Sequence, residues 1–407
     1  MEDVFTNCGN LSYDSYGFYD NGLQAVNKGN LGRVKGVKSV SNISSTGGFG
    51  SVFTNGNANL SFLLPIGSAN MLDICQQMVL ELTLSNDDAT VGHDAEILAS
   101  HFLIKNIITL TNNQIENSMP EHQMVRRLFT SKDDEEIFQA ATMEQFSYAG
   151  YPAAYTTSSA VIPPSSTKKI YLRIFTPLDV CQCFLPSISQ QITIQVYFNN
   201  TAVTSTSTST TVSLQDARLI MNGIAYTPQI RQGLLNRFAA KPHLYSYNSA
   251  QREILSNISV SSASESNFQL SAFSGFKMPC VFLGVRAANA SAEDLYTFDE
   301  LLTVDERING QSVYLSKLNK QEFASMAMDC FYTSVANGNT NLVFLPHAID
   351  AYQALKYNKL RGTVTYNPNI NILLQMNSVT GNRDLVAIGF ASAVVIIDKG
   401  NISLQYM

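Results

Sequence analysis

The chain has 407 residues, of which 45% are hydrophobic and only 14% are charged, and its formal net charge at pH 7 is −6. This length fits about two domains with ample apolar area for their cores. So few charges suggest that much of the surface is buried against other subunits, and the acidic balance argues against a basic protein that coats nucleic acid. A composition with 22 Phe, 18 Tyr and no Trp favours strands over helices.

Residues 1–50 predict an N-terminal arm. They are rich in Gly, Asn, Ser and Tyr, show little periodicity, and carry four basic residues close together: Lys28, Arg33, Lys35 and Lys38. Such a segment is ordered mainly by its neighbours. Its positive charge suits a membrane, a nucleic acid or a neighbouring subunit, and a solvated role is an equal alternative. The polar, acidic start MEDVFTNCGN lacks the pattern of a signal peptide.

The stretch STGGFGSVF, at residues 45–53, resembles the glycine-rich loop that covers ATP phosphates in protein kinases. A kinase also needs a lysine on a nearby strand, but no Lys or Arg lies between Ser51 and Ile104. The sequence also has no HRD, DFG or APE motif. We therefore interpret these glycines as a break between the arm and the first ordered strand.

From about residue 57 onward, short β-rich runs predict strands, with turn signals at roughly ten-residue spacing. Residues 120–146 interrupt this rhythm with the apolar spacing of one or two helices, and residues 228–242 predict a connection between domains. Two such sets of strands indicate two β-sandwiches, at residues 51–228 and 229–407. The predicted strands are ANLSFLLP, LDICQQMVLELTLS, FLIKNIITL, KKIYLRIF, QQITIQVYFNN and ARLIMNGIAY, then REILSNISVS, CVFLGVRAA, LRGTVTYNP and LVAIGFASAVVII.

Two motifs occur twice in the same order. TLTNNQIENS at residues 109–118 is followed by a helical stretch and then by CFLP at residues 183–186. ERINGQSVYLS at residues 306–316 is followed by the helical stretch KQEFASMAMDCF and then by VFLP. The repeated order predicts an internal duplication, and the longer first copy indicates a loop inserted around residues 130–165.

The sequence shows no catalytic or metal-binding constellation. Cys181 and Cys183 are the only closely spaced cysteines, no second pair follows them, and the five His residues lack metal spacing. We interpret the thiols as free, the acidic run at residues 133–136 as a solvated face, and His347 as structural or exposed. Carboxylates at residues 87–96 could hold a cation but lack EF-hand spacing. We predict no enzyme activity and no cofactor.

Taken together, these features resemble the double jelly-roll major capsid proteins of tailless icosahedral DNA viruses, the lineage that links adenovirus hexon with membrane-containing phages. The resemblance covers roughly residues 55–407 and is one of pattern and order, without a catalytic motif. It is carried by IYLRIFTPLDVCQCFLPSISQQITIQVYFNN, the strand DARLIMNGIAY, the turns NNQI and NGQS, and the closing VAIGFASAVVIIDKGNISLQY.

The resemblance implies an all-β protein of two fused jelly-roll β-sandwiches with short helices in the loops. Three protomers would then form a pseudo-hexagonal homotrimer that tiles an icosahedral shell. The implied partners are further copies of the chain, minor capsid or penton proteins, and an internal viral membrane, with no sequence-specific nucleic acid. The arm would lie on the inner face, and the protein, made in the host cytoplasm, would reside in the virion.

The main alternative is a β-sandwich that binds a receptor or a glycan, such as a spike or a lectin. Exposed loops and a surface rich in Ser and Thr suit that role, whereas the duplication and the missing secretion signal argue against it. A penton protein is a nearer alternative, although pentons tend to carry one jelly roll. Oligomeric symmetry separates the three: threefold for a major capsid protein, fivefold for a penton and variable for a lectin.

Overall fold

The computed structural model describes most of the chain outside its N-terminal region, and all structural statements concern the described residues. They are residues 36–44, 59–64, 66, 72–92, 94–98, 104–128, 158–199, 203–205, 212–239, 241–260, 264–290, 298–322, 341–348, 362–377 and 381–407.

The first half of the chain forms eleven described strands, three helices and one 3-10 turn at Leu185–Ser187. The helices are α1 (Pro120–Leu128), α2 (Pro177–Val180) and α3 (Pro228–Ala239), and α3 lies at the predicted domain connection. The strands are β1 (Gly36–Ser44), β2 (Asn59–Leu63), β3 (Ile74–Asn86), β4 (Ala95–Leu98), β5 (Ile104–Leu110), β6 (Gln114–Ser118), β7 (Ser158–Ile162), β8 (Ser166–Ile174), β9 (Thr193–Phe198), β10 (Val203–Ser205) and β11 (Val212–Tyr226).

These strands form two four-stranded antiparallel sheets in the orders β1-β11-β3-β8 and β2-β9-β5-β6. The eight strands can be lettered B to I in chain order, leaving out β4, β7 and β10. The sheets then read B-I-D-G and C-H-E-F, the strand order of a jelly roll. The remaining strands β4, β7 and β10 form a third, three-stranded sheet, and each comes from a different connection: D to E, F to G and H to I.

The second half repeats this topology. Its principal sheets have the orders β12-β22-β15-β19 and β13-β21-β16-β17, again B-I-D-G and C-H-E-F. The strands are β12 (His243–Ile258), β13 (Ser266–Phe268), β14 (Lys277–Met278), β15 (Cys280–Ala287), β16 (Leu301–Ile308), β17 (Gln311–Ser312), β18 (Leu318–Asn319), β19 (Val343–Pro346), β20 (Val364–Thr365), β21 (Ile370–Met376), β22 (Arg383–Asp398) and β23 (Asn401–Tyr406). The prediction of an all-β chain with two fused jelly rolls is confirmed.

The repeated sequence motifs occupy matching places in the two sandwiches. The two Asn-x-Gln turns join β5 to β6 and β16 to β17, which are strands E and F in each case. The two Phe-Leu-Pro segments both lie along strand D: Phe184 bridges to Ile74 on β3, and Phe344 pairs with Phe282 on β15. The duplication is therefore visible in the structure.

Burial follows the period of each strand. In β9 every second side chain is buried, namely Ile194, Val196 and Phe198, as expected for a strand with one face toward a core. Strand β22 is buried along almost its whole length, because it lies at the centre of its sheet and is covered on both faces. That position explains the unbroken apolar run in its sequence.

The hydrophobic interior does not stop at the border between the sandwiches. One buried cluster fills the first sandwich and continues into the second half through Tyr245, Tyr247 and Phe390. A separate cluster around Phe273, Tyr366 and neighbouring aliphatic residues lies within the second sandwich. Continuous apolar packing thus joins the two halves.

Three sequence predictions differ from the structure or lie outside it. Residues 36–44, within the predicted arm, form β1 and pair along β11 from Gly36–Tyr226 to Ser44–Arg218. Among the described residues of the predicted strand LRGTVTYNP, only Val364–Thr365 form a strand, because the backbone turns at Asn367, whose carbonyl accepts a hydrogen bond from the Ile370 N–H (3.0 Å). Of the loop predicted around residues 130–165, residues 130–157 lie outside the described residues, whereas Ser158–Ile162 form β7. The domain limits at residues 50 and 228 stay predictions.

Candidate functional site at the junction of the two sandwiches

Helix α1 lies between the two sandwiches and is fixed to the first one by Gln123. The Gln123 amide donates to Ser118 Oγ (2.8 Å) and to the Phe175 carbonyl (2.9 Å), and its oxygen accepts from the Phe175 N–H (2.7 Å). Pro120 stands at the start of the helix, where its missing N–H costs no hydrogen bond. The helix therefore extends rigidly from the end of β6.

The opposite side of α1 presents Glu121 to two arginines of the second sandwich. Glu121 is fully buried, and its carboxylate lies 3.1 Å from Arg252 Nη1 and 3.4 Å from Arg286 Nη1. Burial alone would raise the pKa of the Glu121 carboxyl, but Arg252 and Arg286 outweigh that effect and hold the pKa below its usual range. The two halves are therefore joined by a buried ionic contact in which each charge depends on its partners.

Glu116 on β6 makes a second set of contacts across the junction. Its carboxylate accepts from the Tyr247 hydroxyl (2.6 Å) and from the Ala250 N–H (2.8 Å). Arg126 on α1 donates to Tyr247 Oη (2.8 Å) and to the Asn248 carbonyl (2.6 Å). Burial raises the pKa of the Tyr247 phenol well above its usual value, so this hydroxyl keeps its proton and acts as a donor to Glu116.

His122 lies at the same interface, and its imidazole ring is neutral. Its Nε2 lies 2.6 Å from the Gln251 carbonyl, while its Nδ1 faces the Met119 N–H at 3.3 Å. Only the tautomer with a proton on Nε2 satisfies both contacts. Burial lowers the pKa of His122 to about 4. The junction therefore contains a histidine that acid conditions would force to take up a proton.

A further set of contacts lies at the His243 end of β12. The N–H groups of Ser189 and Gln190, before β9, both donate to the Gly400 carbonyl (2.9 and 3.2 Å) in the turn between β22 and β23. The Gln190 side chain accepts from the Ile402 N–H (2.9 Å). Gly400 has a φ of +84°, a backbone conformation that residues other than glycine rarely adopt. The turn therefore favours glycine at this position.

The connecting helix α3 is held by its own ion pair. Arg231 Nε lies 2.6 Å from the buried carboxylate of Asp73, which precedes β3. Phe238 near the end of the helix packs on His243, with ring centroids 3.6 Å apart, and on Phe184. The predicted connection is thus a helix packed against residues of both halves.

The junction also forms a polar pocket of about 300 Å³ that is partly open to solvent. Tyr406 reaches over it and hydrogen-bonds through its hydroxyl to the Gln251 amide (3.0 Å) and to Ser249 Oγ (3.3 Å). Neither this pocket nor any other place among the described residues groups three or more His, Cys, Asp or Glu side chains as a metal site would. Residues on the pocket wall include Gln114, Glu116, Asn117, His122, Ser249, Gln251 and Arg252.

The second sandwich contains a buried polar centre of its own around Glu306. His347 Nε2 lies 2.8 Å from Glu306 Oε2, and Tyr366 donates to Glu306 Oε1 (2.5 Å). Burial opposes ionisation here too, but His347 and the tyrosine hydroxyls bring the pKa of Glu306 below its usual range. The sequence left His347 as structural or exposed, and the structure buries its side chain. Both ring nitrogens face oxygen acceptors, since Nδ1 lies 3.1 Å from the Met278 carbonyl.

The structure describes only some of the residues that the sequence singled out. Lys38 lies on β1 opposite Ile224, whereas Lys28, Arg33 and Lys35 lie outside the described residues. Cys75, Cys181, Cys183 and Cys280 are buried free thiols, as predicted for them. Sequence analysis missed Glu116 and Glu121, since nothing local distinguishes a buried charge from a solvated one. The described helices include none that is long and apolar enough to cross a membrane.

The sequence matches no family model and no curated protein. The structure, however, is similar to solved viral structures. The PBCV-1 virus capsid matches with a TM-score of 0.62 at 12% identity, covering 91% of this chain and 97% of that one. The Sputnik virophage structure matches with a TM-score of 0.61 at 12% identity, covering 91% and 88%. The Faustovirus major capsid protein matches with a TM-score of 0.56 at 11% identity, covering 89% and 91%. The likeness establishes the double jelly-roll fold.

Proposed function

We propose that this protein is the major capsid protein of an icosahedral DNA virus and that it self-associates as a pseudo-hexagonal homotrimer. The observation that carries the proposal is the tandem of two jelly rolls with identical strand order, fused through a buried junction. The capsid structures named above share this tandem over about nine-tenths of the chain. A shell block needs a rigid shape with broad lateral surfaces, and the junction supplies that rigidity.

Two similar lobes in one chain have a geometric consequence. Three copies around a threefold axis place six lobes in a ring, which is a block able to tile a flat facet. The low charge of the chain suits the wide lateral contacts of such a lattice. Minor capsid or penton proteins would then close the remaining positions of the shell, and the protein would reside in the virion.

The test is light scattering coupled to size exclusion, followed by negative-stain images of the main peak. A closed trimer of the 44.7 kDa chain would have a mass of about 134 kDa and a six-lobed outline. A pentamer would favour a penton protein. A stable monomer that binds glycans on an array would overturn the proposal in favour of a receptor- or glycan-binding sandwich.

We also propose that the N-terminal residues contact an internal membrane or a neighbouring subunit through Lys28, Arg33 and Lys35. Because β1 belongs to the first sandwich, the suitable deletion removes residues 1–35 and leaves the strand intact. We expect the shortened chain to keep its fold and to lose flotation with anionic vesicles, or, if the arm contacts a neighbour, to form trimers without larger assemblies. Unchanged vesicle binding together with normal particles would exclude both roles.

A further inference from the structure

The pocket at the junction lies between one strand of each sandwich. Residues 114–117 of β6 and residues 249–252 of β12 form most of its walls, and Tyr406 of β23 reaches over it. Its volume of about 300 Å³ is that of the smaller ligand sites in proteins. Empty cavities are typically apolar, whereas most side chains on these walls are polar. This space, which we call the junction pocket, therefore has the size and lining of a site for a small polar molecule.

Arg252 gives the junction pocket a guanidinium that its own chain only partly uses. Its Nη1 lies 3.1 Å from both oxygens of Glu121, a carboxylate that is shared with Arg286. Its Nε and Nη2 have no hydrogen-bond partner within the described part of the chain, and neither is a buried atom. These two nitrogens form the planar fork that a carboxylate accepts in bidentate fashion. Arg252 can therefore bind a second carboxylate beside Glu121.

Two amides on the pocket walls each have one atom left over. Asn117 Oδ1, on β6, accepts from Asn106 Nδ2 (2.9 Å), which fixes the amide and leaves Asn117 Nδ2 without an acceptor among the described residues. Gln251 Nε2, on β12, donates to Tyr406 Oη (3.0 Å), which leaves Gln251 Oε1 without a described donor. The junction pocket therefore offers a further donor from the first sandwich and an acceptor from the second.

The other ionisable groups on the walls already have their partners. Glu116 is 4% exposed, and its two oxygens accept from the Tyr247 hydroxyl and the Ala250 N–H. Both ring nitrogens of His122 lie within hydrogen-bonding distance of backbone groups. What remains unpaired is an arginine fork, an amide donor and an amide acceptor. This set suits an anion that also carries a donor of its own.

We propose that the junction pocket binds a small carboxylate that carries a hydroxyl or a similar donor. The carboxylate lies against Arg252 and Asn117 Nδ2, and the donor group bonds to Gln251 Oε1. Because Asn117 belongs to the first sandwich and Arg252 to the second, the bound molecule bridges the two. Binding to the folded chain alone also stabilises it against unfolding. The inference does not depend on the proposed capsid function, since it concerns one chain only.

The first test is isothermal titration calorimetry of the full chain with lactate, propionate and inorganic phosphate, at pH 7.5 and constant ionic strength. Lactate should bind with a dissociation constant on the order of 1 mM, as expected for so small a molecule. Propionate lacks the hydroxyl for Gln251 and should bind about threefold or more weakly. Phosphate should also bind more weakly, because its greater negative charge lies beside Glu116 and Glu121.

The second test reverses one pocket donor without disturbing the neighbouring hydrogen bond. Asn117→Asp keeps an oxygen for Asn106 but replaces the free donor by an anionic oxygen, so the dissociation constant for lactate should rise about tenfold or more. Asn371→Asp is the matched control. Asn371 Oδ1 likewise accepts from an amide, Gln269 Nε2 (3.4 Å), but the residue lies outside the junction pocket and its variant should bind lactate as the wild type does.

The third test removes the planar fork and keeps the charge. Arg252→Lys can still pair with Glu121 but cannot bind a carboxylate in bidentate fashion, so lactate should bind about tenfold more weakly and should raise the thermal midpoint less than in the wild type. No saturable binding of lactate by the wild type, or equal binding by Asn117→Asp and Arg252→Lys, overturns the inference. Phosphate that binds as tightly as lactate overturns the assignment of a carboxylate.

Discussion

Glu121 and Glu306 are both buried carboxylates with a pKa below the usual range, yet they differ in where their partners come from. Glu306 takes His347, Tyr366 and Tyr314 from its own sandwich. Glu121 takes Arg252 and Arg286 from the other half of the chain. The first centre stabilises one jelly roll, whereas the second joins two jelly rolls into one body. A buried carboxylate with polar partners therefore stabilises a single sandwich at Glu306 and holds two sandwiches together at Glu121.

The largest expected effect is the loss of stability on removing one of these two carboxylates, and its form should differ between them. Glu121→Ala leaves Arg286, whose side chain is 5% exposed, without its carboxylate, which costs about 3–5 kcal/mol. Because that loss falls on the junction, calorimetry should show two separate unfolding transitions. Glu306→Ala should lower the stability of the second sandwich by a similar amount without separating the halves at the junction.

The control for this comparison is an ion pair at the surface. Glu265 lies 3.2 Å from Lys317, with side chains 28% and 54% exposed. Glu265→Gln should change the unfolding free energy by less than about 1 kcal/mol. A single unchanged transition in Glu121→Ala would show that the junction does not depend on this carboxylate.

The next effect concerns acid stability at the junction. The folded pKa of His122 is about 4, below its ordinary value of 6.5, so the unfolded chain binds more protons between these pH values. The neutral histidine's contribution is complete above pH 6.5 and is lost as the pH falls toward 4, by about 2–3 kcal/mol at pH 4.5. His122→Gln should lose stability less steeply over this window.

Denaturant titrations of the wild-type chain and of His122→Gln at pH 7.5 and pH 4.5 measure how much stability each loses on acidification. If the wild-type chain and His122→Gln lose equal stability on acidification, His122 is not the acid-sensitive residue of the junction.

The smallest expected effect compares two glycines at positive φ. A Cβ at Gly400 would lie 2.0 Å from Ser189 Oγ, across the contact between the halves, whereas a Cβ at Gly310 would meet nothing within 4 Å. Both Gly→Ala variants incur backbone strain of about 1 kcal/mol. Gly400→Ala should lose about 1–2 kcal/mol more, because it also displaces Ser189. Equal thermal midpoints would mean that the turn can shift without cost.

Local patterns in the sequence predicted much of the fold. Alternation along β9 and the continuous apolar run of β22 follow directly from how many faces of each strand are covered. The repeated Asn-x-Gln and Phe-Leu-Pro motifs predicted the duplication, because two copies of one topology place the same turn between strands E and F. Strand β1 was missed, since GVKSVSNIS has the small, polar composition of an arm.

The sequence by itself determined that the chain is a tandem of two β-sandwiches, since strand periodicity and repeated turns are local properties. Only the tertiary structure decided which charges are buried. Arg286 and Glu121 are 165 positions apart, and no local pattern records that α1 will lie across β12. Burial of a charge depends on a partner that the folded chain brings in from a distant part of the sequence.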